Sequence, residues 1–161
     1  MNSGNLDLFS APPESITPQR PLLVGECNPY GGDPKFALYP LPEHSAGGRL
    51  CSIIFGLQRT QYLRKFDRVN LCVGKWSMKE ARACALDIER RANPAVSGSL
   101  TLVLLGRKVA QAFNSDHVPP FSVVRAGGVV AALIPHPSGL CREWNEPGAI
   151  ARARQTLLDA G

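Results

Sequence analysis

The sequence predicts an α/β fold: three layers, α/β/α, around a central, mostly parallel sheet of four strands. Three observations lead there. Four short runs (residues 21–25, 69–73, 100–105 and 129–134) are continuously apolar rather than alternating, as strands buried on both faces are. Segments with helical spacing or helix-start signals separate them, the pattern of a sheet built by crossover connections. The 161 residues, 44% of them hydrophobic, are enough for one domain with a sizeable core.

Taken in order, residues 1–20 are polar, proline-bearing and without period, and read as a flexible tail in which Leu6, Leu8 and Phe9 can pack on the domain. The domain is residues 21–161. After the first strand, residues 26–46 form a long loop rich in Gly and Pro, a length often tied to function. Gly47-Gly48 leads into a helix over 50–57, and 60–65 reads as a second short helix. The second strand is followed by Ser77-Met78-Lys79-Glu80, with capping-box spacing. Its helix runs to about residue 92 and turns Ala81, Ala85 and Ile88 inward. Gly106, after the third strand, opens a short helix to about Phe113. Asn145-Glu146-Pro147 caps the last helix, with Pro147 near its first turn and Ile150, Ala153, Leu157 and Leu158 on its buried face.

Charge is unevenly spread. Residues 1–48 carry two basic and five acidic side chains, whereas 49–91 carry ten basic and four acidic. A basic middle within a chain of net charge +5 suits a polyanionic partner, nucleic acid first, or simply a solvated surface. The five cysteines are odd in number and form no CxxC pair, which argues against zinc or iron–sulfur and for reduced thiols in a cytoplasmic protein. No apolar run reaches membrane length, and the first residues lack a signal-peptide layout.

The most informative segment is Ile134-Pro135-His136-Pro137-Ser138-Gly139-Leu140. Proline fixes φ, removes a donor and extends the residue before it, so His136 is held on a stiff turn directly after a strand. A second constrained turn, Gly25-Glu26-Cys27-Asn28-Pro29-Tyr30-Gly31-Gly32, follows the first strand. With 70–77, these loops fall at the carboxyl ends of parallel strands, where α/β sheets bind ligands. There is no Walker loop, and the glycines after the first strand are not a dinucleotide fingerprint, because no helix opens at the right offset.

These motifs, in this order, resemble the uracil-DNA glycosylase superfamily over residues 21–161. Val24-Gly25-Glu26-Cys27-Asn28-Pro29-Tyr30 looks like its water-activating motif, and His136-Pro137-Ser138-Gly139-Leu140 looks like its histidine motif. Val69-Asn70-Leu71-Cys72, Leu102-Val103-Leu104-Leu105-Gly106 and Ser45-Ala46-Gly47-Gly48-Arg49-Leu50 resemble its intervening segments. The resemblance implies that Asn28, or Glu26 as in the iron–sulfur-bearing branches, positions the attacking water. It implies that His136 donates to the pyrimidine O2 and that Asn70 reads the base edge. Tyr39 or Phe36 would stack on the base, and Tyr30 would crowd its C5 position. Ser138, Leu140 and Arg142 would meet DNA, with Leu140 either a wedge in the gap left by the flipped base or a hydrophobic plug. The chain departs from the pattern in lacking the cysteine pairs, in carrying an amide at position 28, and in the Gly31-Gly32 pair, which leaves room beside C5.

What the resemblance implies is a monomeric DNA glycosylase that needs no cofactor and hydrolyses the N-glycosidic bond of a flipped uracil or C5-modified pyrimidine. Such a reaction passes through an oxocarbenium-like sugar and a departing base anion. A histidine donor at O2 meets charge that forms only in the transition state. Two other readings remain open: a glycosylase against modified pyrimidines in foreign DNA, serving antiviral defence, and a binding module that keeps the fold without the chemistry.

Overall fold

The structure, a computed structural model, describes residues 19–28, 32–91 and 100–161. Of the tail read over residues 1–20, residues 1–18 lie outside them, as does Tyr30. The chain is an α/β domain with a five-stranded, mostly parallel sheet in the order β2-β1-β3-β5-β4. The strands are β1 (Leu22–Asn28), β2 (Asp67–Val73), β3 (Leu100–Leu105), β4 (Ser122–Ala126) and β5 (Val129–Ile134). The first, second, third and fifth run parallel; β4 lies antiparallel on the outer edge of β5.

The two faces of β3 show why the runs are continuously apolar. Leu102 and Leu104 pack under one helical layer, α3 (Met78–Arg91) and α4 (Arg107–Ala112), with Ala81, Ala85, Ile88 and Val109. Val103 and Leu105 point the other way, to α1 (Ala46–Arg49), α2 (Arg59–Lys65) and α5 (Ala149–Ala160), beside Leu50, Ile54, Tyr62, Phe66 and Ala153. All four of these β3 side chains are essentially inaccessible. At about 25 cal/mol per Å² of apolar surface, each such Leu or Val contributes about 1.5–3 kcal/mol.

Several expectations are corrected. The sheet has five strands, not four. The edge strand β4 is short and half polar, and its signal was the Gly127-Gly128 pair, both with positive φ (54° and 79°), joining it to β5 in a tight hairpin. The first helix starts at Ala46, not at residue 50: Ser45 caps it, its Oγ accepting from the Gly48 N–H at 3.1 Å. It then widens into a π-turn over Leu50–Ile54, in which the Phe55 N–H donates to the Leu50 carbonyl. The last helix begins at Ala149 after Gly148 (φ 77°), not at Pro147, because Arg142–Asn145 form their own 3-10 turn. Its buried face is Ala149, Ala153, Thr156 and Ala160; Ile150 and Leu157 are half-buried and Leu158 is 72% exposed. Small residues face the sheet there, so the helix packs closely against β5.

Candidate active site

At the carboxyl edge of the sheet, β1 does not end at Gly25. It runs on to Asn28, so Glu26 and Asn28 stand on the strand's last residues rather than on a loop, with Cys27 and Asn28 in register with Cys72 and Val73 of β2. Gly25 faces Asn70 across that register, and a Cβ at position 25 would overlap the Asn70 Oδ1 and press on Leu38. Glycine is therefore what lets the Asn70 amide lie over β1. The Asn70 Oδ1 is shielded from solvent and has no hydrogen-bond partner among the described residues. A buried acceptor left unmade costs about 1–3 kcal/mol, a cost that a ligand donor removes.

His136 reaches this place from β5, across the end of β3. It can do so because β3 ends in Gly106 (φ 96°), where a Cβ would lie 3.0 Å from the His136 Cβ. Its turn is pinned from several sides. The Trp144 Nε1–H donates to the His136 carbonyl at 2.7 Å, and the Arg49 Nε–H from α1 to the Pro137 carbonyl at 2.8 Å. Phe121 braces the indole edge to face, with ring centres 6.0 Å apart. Within the turn, the Ser138 N–H donates to His136 Nδ1 at 3.1 Å, and the Leu140 N–H to Ser138 Oγ at 3.2 Å.

That bond to Nδ1 sets the tautomer. A ring nitrogen that accepts carries no proton, so in the neutral imidazole the proton sits on Nε2. Burial pushes the His136 pKa below its ordinary value; the nearby Glu26 charge works against this and Lys108 with it. The Nε2 atom lies 3.9 Å from Glu26 Oε1, too far for a hydrogen bond. On its other side, Glu26 Oε2 lies 3.9 Å from Lys108 Nζ. The site thus holds a neutral, oriented donor whose hydrogen has no acceptor among the described residues, next to a carboxylate.

Glu26, Asn70 and His136 line one cleft of about 290 Å³, together with Cys27, Leu38 and Leu105. This is near the small end of ligand clefts, roughly 300–1,000 Å³. A narrower recess of about 50 Å³ adjoins it, lined by Asn28, Phe36, Tyr39 and again Asn70. Phe36, 44% exposed, meets Tyr39 edge to face at 5.7 Å, so an aromatic surface borders both amides. Two larger cavities of about 360 Å³ lie elsewhere, one behind Pro135 and one under the β4–β5 hairpin. Neither contains an unpartnered buried polar atom among the described residues, and neither touches His136, so size is a poorer guide here than chemistry.

The structure brings together Glu26, Asn28, Asn70, Phe36, Tyr39 and His136. Ser138, Leu140 and Arg142 sit at the rim, with Leu140 92% exposed at the tip of the turn and Arg142 also exposed. Sequence reasoning missed three residues. Arg49 and Trp144 hold the histidine turn, and Lys108 stands beside Glu26. Only Lys108 had a signal, its place just after the Gly106 turn. The partners of the other two are 88 and 8 residues away, and spacing does not reveal them. No family model matches the chain, and no curated protein matches it in sequence. Among the described residues, no helix is long and apolar enough to cross a membrane.

Proposed function

We propose that the chain is a cytoplasmic DNA glycosylase of the uracil type, removing a flipped-out uracil or C5-modified uracil by hydrolysis and leaving an abasic site. The observation that carries this reading is one small cleft lined by a pinned, neutral His136, with its Nε2–H directed by the bond at Nδ1, and by the Asn70 amide, whose buried Oδ1 has no partner among the described residues and is reached as the amide turns toward a ligand. A donor and an acceptor so placed complement a pyrimidine edge that offers a carbonyl oxygen and an N–H, as uracil does at O2 and N3.

In this mechanism the base leaves the stack, at a cost of a few kcal/mol, and Leu140 fills the space it vacates. The base slides between the amides and Phe36 or Tyr39. The C1′–N1 bond breaks with its electron pair going to the base, and the charge that gathers on O2 meets the His136 Nε2–H. Such a preorganised donor is worth about 3 kcal/mol in the transition state. Water attacks C1′ and gives its proton to Glu26, while Asn28 orients it; a carboxylate takes a proton where an amide cannot. The Ser138 Oγ, which accepts from the Leu140 N–H, keeps its own hydrogen for a phosphate.

The test is an abasic-site assay on oligonucleotides carrying uracil, C5-substituted uracils or C5-substituted cytosines, followed by alkaline cleavage. Breaks that disappear in His136→Ala establish the glycosylase. Activity confined to modified bases moves the reading toward defence against foreign DNA. Tight DNA binding with no breaks on any substrate overturns it in favour of a binding module.

A further inference from the structure

Lys108 is not used by the mechanism above, yet its ammonium faces two groups. Its Nζ lies 3.9 Å from Glu26 Oε2 and 5.9 Å from the centre of the Trp76 ring, within reach of a cation–π contact. Both partners come from other elements: Glu26 from the end of β1, Trp76 from the segment between β2 and α3. The ammonium thus stands near both while more than half of the side chain is exposed. Glu26 is placed between two nitrogens at equal distance, the Lys108 ammonium and the His136 imidazole.

We propose that Lys108 is a positioning residue that holds the Glu26 charge to itself and so leaves the His136 Nε2–H free for the substrate. Without the ammonium, the carboxylate has only the imidazole to attract. It then favours a proton on Nδ1 as well, forms an imidazolium–carboxylate pair, and loses the Ser138 N–H as a bond to Nδ1. Both groups are spent on each other. The electrostatic balance at the ring agrees with this geometry: burial lowers the His136 pKa most, Glu26 raises it and Lys108 lowers it. The other groups around the ring do not offer the same control. Cys27, from β1, is held neutral because burial and its neighbours raise its thiol pKa. Arg49, from α1, spends its Nε–H on the Pro137 carbonyl. The turn that carries Trp144 presents an indole to the loop, and its Arg142 and Glu143 are exposed.

The part of this inference that concerns catalysis rests on the glycosylase reading; the part that concerns the imidazole does not, and the experiment separates them. His136 is titrated by NMR of the imidazole carbons in the full chain, assigned against His136→Ala, in the native protein, Lys108→Met and Lys108→Arg. The exposed position of Lys108 makes both variants compatible with folding. In Lys108→Met the His136 midpoint moves to higher pH; Lys108→Arg restores it. The acid limb of the rate of abasic-site formation moves the same way, since the neutral ring is the active form. A midpoint that does not move overturns the inference. So does a variant whose only change is a salt dependence of DNA binding shallower by about 0.9, because Lys108 is then a phosphate contact. A midpoint that moves in a protein that cuts no substrate leaves the inference standing and overturns the glycosylase reading.

Discussion

The two sides of the cleft are built on opposite plans. The histidine side is tied down: the turn after β5 is held by Trp144, Arg49 and its own backbone, and among the described residues the Nε2–H has no hydrogen-bond acceptor. The asparagine side is left incomplete: Asn70 carries a buried acceptor with no partner among the described residues, beside a glycine whose missing Cβ makes room for it. In the proposed reaction, one side is rigid where charge has to be met at a fixed point. The other holds hydrogen-bonding capacity in reserve for the ligand. The difference separates stability from function, because residues on the first plan support the fold and residues on the second plan burden it.

For the glycosylase proposed above, the largest effects are expected at the groups that meet changing charge. His136→Ala lowers the single-turnover rate of abasic-site formation by about 10²–10³-fold, the range for losing one preorganised donor, with DNA affinity little changed. Glu26→Gln lowers it by about 10²-fold or more, as expected for loss of a general base, and Asn28→Ala by less. If Asn28→Ala has the larger effect, the water belongs to the amide, and Glu26 serves only the electrostatics of His136.

Asn70→Leu tests the incomplete side directly. It removes the unpartnered acceptor and puts a side chain of similar size beside Leu38. Catalysis falls by about 10²-fold, while the fold gains about 1 kcal/mol, raising Tm by about 2–4 °C. A variant that is both inactive and less stable shows that Asn70 is structural, and the contrast between the two sides fails.

The parts of this molecule that could be read from the sequence are those governed by local rules. Runs 100–105 and 129–134 become β3 and β5 with the boundaries their apolar content marks. The Ser77 cap and the Ala81–Ala85–Ile88 face follow from spacing alone. The His136 turn was visible because proline leaves a chain few choices. What stayed hidden depends on distant partners. The extension of β1 to Asn28 comes from pairing with β2, not from propensity, since Glu and Asn are poor strand formers. The last helix turns alanines inward because the sheet lies close, a fact of packing that a hydrophobic pattern misreads. The roles of Arg49, Trp144 and Lys108 appear only when three separate elements meet at one edge.

Leu140 tests the rim. It is almost wholly exposed, so Leu140→Ala changes stability by less than about 0.5 kcal/mol. Excision from duplex DNA falls about tenfold, because the gap left by the flipped base goes unfilled, while excision from single strands is unchanged. Equal losses on both substrates make Leu140 a general contact rather than a wedge.

The smallest effect sharpens the comparison most, since it touches the rigid side without touching the donor. Trp144→Phe keeps an aromatic ring against Phe121 and removes only the indole N–H that holds the His136 carbonyl. The carbonyl sits in a part-buried position, so losing its donor costs about 1 kcal/mol of stability. The turn then has one fewer fixed point, and the Nε2–H wanders from the place where charge develops. A rate loss of about three- to tenfold follows, carried by the chemical step rather than by DNA binding, because Trp144 is bonded to the loop and not to the rim. Single-turnover rates separate the two. A loss confined to binding places the indole at the DNA surface, and rigidity of the histidine turn is then not what the site depends on.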